Sequence, residues 1–152
     1  ASPLPAVNVN DNNTITNNNV LGVGIVSYLV LAYFDENLTY DDPVYQPYVR
    51  NIYIHNNTFA RTTTYPQPQN DIGTILTSQY PAGDIPDIVY DGIENPDNTG
   101  APEEKICIMD NINATFVDID AENFFVGKSY DITPYLCTQN PLPEVTVTAP
   151  QP

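Results

Sequence analysis

The sequence predicts an all-β protein, a right-handed parallel β-helix with long inserted loops and a C-terminal cap tied by a disulfide. The first observation is a repeated unit, in which alternating β-formers lead into two asparagines and a second short strand. Val7–Ile15 and Ile52–Phe59 both have this pattern. The second observation is the composition, since 11 Tyr and 15 Pro with only 15% charged residues favour strands and loops over helices. A unit that recurs in this way is typical of stacked strands.

The repeated unit divides the chain into predicted regions. Residues 1–122 are predicted as β-helix turns interrupted by loops at 35–50, 61–71 and 94–104, and residues 123–152 as the C-terminal cap and an extended tail. Asparagine suits the corners because it tolerates left-handed backbone angles and can stack on the asparagine of the next turn in a hydrogen-bonded ladder. Beyond the corners, residues 71–76 are interpreted as the counterpart of the strand at 22–26.

The two ends of the predicted stack differ. After residue 123 the alternation fades into Phe124, Phe125 and Tyr135, which we expect to cover the last turn because open strand edges recruit other chains. Val7 begins in strand register with nothing before it to cover the first turn. The chain is therefore either the C-terminal part of a longer protein, or its uncapped N-terminal turn stacks on another subunit.

The charge of the chain restricts its partners. Nineteen acidic residues stand against four basic ones, for a net charge of −15. Nucleic acids and anionic membranes are bound through Lys and Arg, so neither is an expected partner. The longest apolar stretch, Val20–Phe34, contains two glycines and a serine and is too short to span a bilayer.

Two cysteines indicate the compartment. Cys107 and Cys137 occur in a chain with one histidine and no Cys-x-x-Cys, so a zinc site lacks ligands and a disulfide is the preferred interpretation. A disulfide predicts a secreted, periplasmic or cell-surface protein. Two buried free thiols are the alternative.

An acidic loop is the candidate metal site. The carboxylates of Asp35, Glu36, Asp41 and Asp42 fall within eight residues, and hard oxygen ligands on a flexible loop suit calcium. The loop lacks the Asp-x-Asp-x-Asp-Gly spacing of a dedicated calcium loop. A solvated acidic loop that keeps the protein soluble is the competing interpretation.

A second set of residues is a candidate binding surface, on which aromatic rings would stack on sugars or pack against a protein. Its members are Tyr40, Tyr45, Tyr48, His55 and Arg61. The single histidine has no second histidine, cysteine or serine beside it, so it does not predict a catalytic triad or a metal centre.

The segments 52–59, 86–93 and 106–116, with the loop at 40–48, resemble the C-terminal part of a bacterial family of exported right-handed parallel β-helix repeat proteins. The resemblance implies about 22 residues per turn, a location outside the cytoplasm and no established activity. It also implies an envelope c-type cytochrome as a partner. The Cys-x-x-Cys-His haem motif is absent here, so any electron transfer would belong to that partner.

We therefore expect a non-catalytic structural or binding module that assembles with another protein or with itself end to end. The alternative is a carbohydrate-active enzyme, a polysaccharide lyase or hydrolase, or a glycan-binding protein on the same scaffold. A lyase would use Arg50 or Arg61, which flank the second repeated unit, as base beside calcium on Asp41 and Asp42, against the repulsion between this acidic chain and a polyanion. A hydrolase needs two facing carboxylates, and no motif pairs them.

Overall fold

The chain is described by a computed structural model that covers residues 8–18, 20–30, 46–61 and 71–140, with the backbone alone at 8–10 and 71. Across these ranges the regular elements are short strands, an α-helix at 71–79, helical residues at 29–30 and three single turns of 3-10 helix. In chain order they are β1 (Asn8–Asp11), β2 (Thr14–Thr16), β3 (Val23–Ile25), β4 (Ile52–His55), β5 (Thr58–Ala60), α1 (Asp71–Gln79), β6 (Ile88–Tyr90), β7 (Ile106–Met109) and β8 (Phe116–Asp118), with 3-10 turns at Pro102–Glu104, Ala121–Asn123 and Thr133–Tyr135.

The named strands pair only in parallel and form three small sheets, in the orders β1-β4-β7, β2-β5 and β3-β6-β8. Asn8 is opposite Ile52, and Ile52 is opposite Ile106. The segment 8–16 therefore lies along the segment 52–60, as the repeated sequence unit predicts. Because consecutive strands belong to different sheets, each connection between them turns a corner.

The prediction of an all-β, right-handed parallel β-helix solenoid is wrong. The described strands are three or four residues long and lie in separate parallel sheets of two or three strands, and an α-helix is present. Hydrogen-bonded corner positions are 44 residues apart between the first and second segments and 54 apart between the second and third. Asp87 and Thr115, which are hydrogen-bonded just before β6 and β8 begin, are 28 residues apart. Long insertions of unequal length thus replace the regular turn of about 22 residues that the family resemblance implies.

The segment 71–76 is helical, so its interpretation as a counterpart of the strand at 22–26 is also wrong. β3 pairs instead with β6, with Val23 opposite Ile88. The physical reason is the spacing of the buried residues. Gly73, Leu76 and Tyr80 are buried at intervals of three and four, which is the period of one helix face and not of a strand.

The core has two parts that meet at β6. One side chain of this strand, Val89, joins a cluster with Leu76 of α1 and Val117 of β8. The side chains on either side of it, Ile88 and Tyr90, face a second cluster enclosed by the sheets. A strand buried on both faces contributes strongly to stability, because each fully buried large apolar side chain is worth about 1.5–3 kcal/mol.

Stacked asparagines fix the corner between the first two sheets. The Asn57 side chain is fully buried; its Oδ1 accepts from the Asn13 backbone N–H at 2.9 Å, and its Nδ2 donates to Asn111 Oδ1 at 3.0 Å. The preceding residue in each layer has a left-handed backbone: Asn12 (φ 53°), Asn56 (φ 55°) and Asp110 (φ 54°). The expected asparagine ladder is confirmed, and it aligns the three chain segments at one corner.

Candidate functional site

One end of the sheets, here called the closed end, is covered by the C-terminal part of the described chain. The edge of β8 is paired by Ser129, which exchanges two backbone hydrogen bonds with Asp118 at 2.8 and 2.9 Å. The Gln139 side chain donates to the Ile52 and Lys105 carbonyls at 3.0 and 2.9 Å. These bonds join the C-terminal segment to the starts of β4 and β7, where the Lys105 carbonyl also accepts from the Ile52 N–H at 3.1 Å.

A disulfide secures this cover. Cys107 lies in β7 and is fully buried, and its bond to Cys137 ties the 3-10 turn at 133–135 against that strand. The predicted disulfide is confirmed, and both cysteines of the chain are used. Its sequence separation is 30 residues, so the chain-entropy model gives it about 3–4 kcal/mol.

The opposite end, here called the open end, consists of β1, β2 and β3. Each is the outer strand of its sheet, and within the described ranges no strand pairs with their outer sides. On either side of β2, the Asn13 carbonyl accepts from the Thr58 N–H and the Asn17 N–H donates to the Ala60 carbonyl. The backbone groups of the odd-numbered residues therefore face β5. Because backbone groups alternate along a strand, the N–H and C=O groups of Thr14 and Thr16 point away from the sheet.

The open end is almost uncharged. The strand residues Asn8–Asp11, Thr14–Thr16 and Val23–Ile25 include one carboxylate, Asp11, in a chain with 19 acidic residues. Natural sheet edges are commonly protected by lysines, prolines or inward-pointing charges. No lysine or proline occurs in β1, β2 or β3, and their one charged residue, Asp11, is exposed.

A cavity of about 370 Å³ lies near the closed end, where β4 and β7 begin. The register that places Ile52 opposite Ile106 also brings together the residues that precede the two strands, Arg50 and Glu104. Lys105 and Glu94 line the same cavity. Its volume falls in the range of sites for small molecules.

The charged residues that line the cavity form no contact ion pairs with one another. The described ion pairs within 4 Å are His55 with Asp11 and Arg61 with Asp87, so neither Arg50 nor Lys105 is in a contact ion pair with another described residue. Thr99 donates to Glu104 from its hydroxyl at 2.7 Å and its backbone at 2.9 Å. These bonds, with a smaller effect of the Arg50 charge, lower the pKa of the Glu104 carboxyl.

The other two basic residues have partners within the fold. Arg61 donates from Nη1 to the Ile85 carbonyl at 2.7 Å, and its Nη2 lies 3.5 Å from Asp87 Oδ1. The Lys128 ammonium lies 4.9 Å from the centre of the Tyr80 ring. Two of the four basic residues, Arg50 and Lys105, therefore line one cavity, and neither forms a contact ion pair with a described residue.

The predicted binding surface is divided by the structure. Tyr48 lines the cavity. His55 lies elsewhere, with Nδ1 3.2 Å from Asp11 Oδ1 and its ring stacked on Tyr53 at a centroid distance of 3.9 Å. Arg61 is the residue paired with Asp87, away from the cavity. Tyr40, Tyr45 and the four predicted calcium ligands Asp35, Glu36, Asp41 and Asp42 lie outside the described residues.

Asp91 is the most buried carboxyl group of the described residues, with 1% of its surface exposed. It accepts backbone N–H groups from Ser27, just after β3, and from Ile93 at 3.0 Å. Burial raises the pKa of this carboxyl, and the two hydrogen bonds oppose that shift. We interpret Asp91 as a structural link between β3 and β6 because its oxygens bind backbone groups.

In the described ranges no group of three or more His, Cys, Asp or Glu side chains is placed to hold a metal ion. The predicted calcium loop is not among those ranges, so that site stays a prediction. Among the same residues, no helix is both long enough and apolar enough to cross a membrane.

No family model matches the chain, and neither a curated protein nor a solved structure was found to be similar to it. The resemblance to exported parallel β-helix repeat proteins therefore stays a prediction, as does the cytochrome partner that it implies.

Proposed function

We propose that this protein is a non-catalytic binding module that works outside the reducing cytoplasm and associates with a second copy of itself, open end to open end. The observation that carries the proposal is that one outer strand of each of the three sheets lies in the first segment of the chain, 8–25, and that no described strand pairs with its outer side. Outward-facing backbone groups of edge strands are completed most directly by strands of another chain. The Cys107–Cys137 disulfide supports an oxidising compartment.

Charge favours a second copy as the partner. A net charge of −15 opposes self-association over most surfaces of such a chain. The three outer strands contain one carboxylate, so this end is where two copies meet with least repulsion. A strongly basic partner would find only Asp11 to pair with on these strands.

The closed end determines the form of the assembly. Head-to-tail stacking would need free edges on β7 and β8, where the C-terminal segment and its disulfide are placed. Head-to-head contact uses the same surface twice and terminates at two molecules. We therefore expect a closed dimer and no filament.

The test is the mass of the protein in solution. Sedimentation equilibrium of the unmodified chain is expected to give twice the 16.8 kDa chain mass at high concentration. Thr14→Lys places a charge at the open edge and is expected to give a monomer with an unchanged circular dichroism spectrum. Thr138→Lys makes the same charge change on an exposed residue of the closed end and serves as the matched control.

Two results would overturn the proposal. One is a monomer at every concentration for the unmodified chain. The other is equal dissociation by Thr14→Lys and Thr138→Lys, which would indicate a general effect of charge. Filaments formed by the unmodified protein would show that the closed end also pairs, against the expected dimer.

A further inference from the structure

We infer that the cavity at the start of β4 and β7 binds a small carboxylate that also carries hydroxyl groups, a sugar acid. This site is separate from the open end and does not depend on dimer formation. The first support is the placement of Arg50 and Lys105, which the parallel register brings to one rim. Together they supply a bidentate guanidinium and an ammonium, the groups that bind carboxylates most strongly.

The remaining basic residues strengthen the assignment. Arg61 is paired with Asp87, and the Lys128 ammonium lies over the Tyr80 ring, so both have partners within the fold. The two cations at the cavity are exposed and in no contact ion pair with described residues. Glu94 and Glu104 line the same cavity, so an anion is attracted only where it contacts Arg50 and Lys105 directly.

The neutral polar groups of the wall add donors. Asn95 Oδ1 accepts from the Asp97 backbone at 3.0 Å, and Asn98 Oδ1 accepts from the Gly100 backbone at 2.7 Å. Each amide then has its Nδ2 group left to donate to a ligand. Glu94 and Glu104 also line the cavity and supply acceptors, so the matching ligand combines a carboxylate, for Arg50 and Lys105, with hydroxyl groups that donate to these acceptors.

Aromatic side chains supply the apolar part of the wall. The Tyr135 hydroxyl donates to Asp118 Oδ2 at 3.0 Å, and its ring, which packs against the rings of Tyr90 and Phe116, lines the cavity. Tyr48 is half-buried on the same cavity. Flat rings pack against the C–H face of a sugar, and about 370 Å³ accommodates one or two sugar rings.

The experiment is a calorimetric titration with four probes: D-glucuronate, D-glucose, acetate and inorganic phosphate. Glucuronate is expected to bind with a dissociation constant in the millimolar range. Glucose lacks the carboxylate and acetate lacks the hydroxyls, so each is expected to bind at least about tenfold more weakly. Phosphate is expected not to displace glucuronate.

Variants locate the binding. Arg50→Gln and Lys105→Gln are each expected to weaken glucuronate binding by about tenfold. Lys128→Gln changes the charge equally at a site outside the cavity and is expected to leave affinity unchanged. Glu94→Gln keeps one acceptor oxygen and removes repulsion of the anion, so it is expected not to weaken binding.

Three results would overturn the inference. The first is no heat of binding with glucuronate from protein shown to be folded. The second is equal weakening by Lys128→Gln, which would make the effect one of net charge. The third is phosphate binding as tightly as glucuronate, which would mean an unspecific anion site. Since Thr14→Lys is expected to bind glucuronate normally, failure here is distinguishable from failure of the dimer proposal.

Discussion

The open end and the closed end are built on the same parallel ladders but end them differently. At the closed end, Ser129 pairs with β8, and the Cys107–Cys137 disulfide ties the C-terminal segment to β7. At the open end, the described chain provides no pairing strand beyond β1, β2 and β3. Strand stacking is therefore specified by the interior side chains and the asparagine corner. A separate segment specifies its termination, and the described ranges place that segment at the closed end.

Removing the disulfide should have the largest effect, because it removes the cover of the closed end. For the double variant Cys107→Ala and Cys137→Ala we expect the free energy of unfolding to fall by about 3–4 kcal/mol. Freeing the edge of β7 should also convert dimers into longer assemblies. Urea denaturation and sedimentation velocity measure the two effects. Retention of a dimer with a loss under about 1 kcal/mol would contradict the assigned role of the cover.

Breaking the asparagine ladder should loosen the outer strands from the closed end. Asn57→Ala removes a fully buried amide and leaves the Asn13 backbone N–H without its acceptor. Unmade buried hydrogen bonds of this kind cost about 1–3 kcal/mol each, so we expect a loss of about 2–4 kcal/mol in chemical denaturation. Asn56→Gly is the control, since glycine keeps the left-handed backbone at an exposed corner, and it should cost less than about 1 kcal/mol.

The smallest effect concerns the link between β3 and the interior. The pKa of Asp91 is raised in the folded protein, so between the ordinary carboxyl pKa and the raised value the unfolded chain has lost a proton that the folded chain keeps. The contribution of Asp91 to stability is therefore present below that window and declines as pH rises through it, by about 1.4 kcal/mol for each pH unit spanned.

Asp91→Asn cannot titrate, and it isolates this contribution. The stability of the unmodified protein minus that of the variant should decrease from acidic to neutral pH, as followed by urea denaturation at a series of pH values. A difference that stays constant or increases with pH would show that Asp91 ionises freely in the folded protein. Such a result would remove burial as the dominant influence on this carboxyl group.

The sequence predicted the pairing of segments 8–16 and 52–60 and the disulfide, because the repeated corner residues and the two cysteines can be recognised directly in the sequence. It did not predict α1, where the buried Gly73 and Leu76, with Tyr80 just after the helix, follow helical spacing in a segment that resembles a strand. The solenoid prediction was wrong because the insertions between layers are unequal, and a repeated corner does not determine their length.

The cavity could not be predicted, since it exists only through the register of strands far apart in the chain. Arg50 and Lys105 each precede a run of alternating apolar residues, which places them at strand ends. Nothing local indicates that the two strand ends are neighbours. Among the predicted surface residues, Tyr48 was the one that the described structure places at the cavity.

Hydrogen exchange at single amides, measured by NMR over a range of protein concentrations, tests the difference between the two ends most directly. The amides of Thr14, Thr16 and Gly24 face away from their sheets by the alternation of backbone bonds in β2 and β3. We predict that these three exchange rapidly in dilute protein and become protected as concentration rises, while the amide of Ser129 stays protected throughout. Strong protection of the three amides in dilute protein, or none at any concentration, would contradict an open end that a second copy completes.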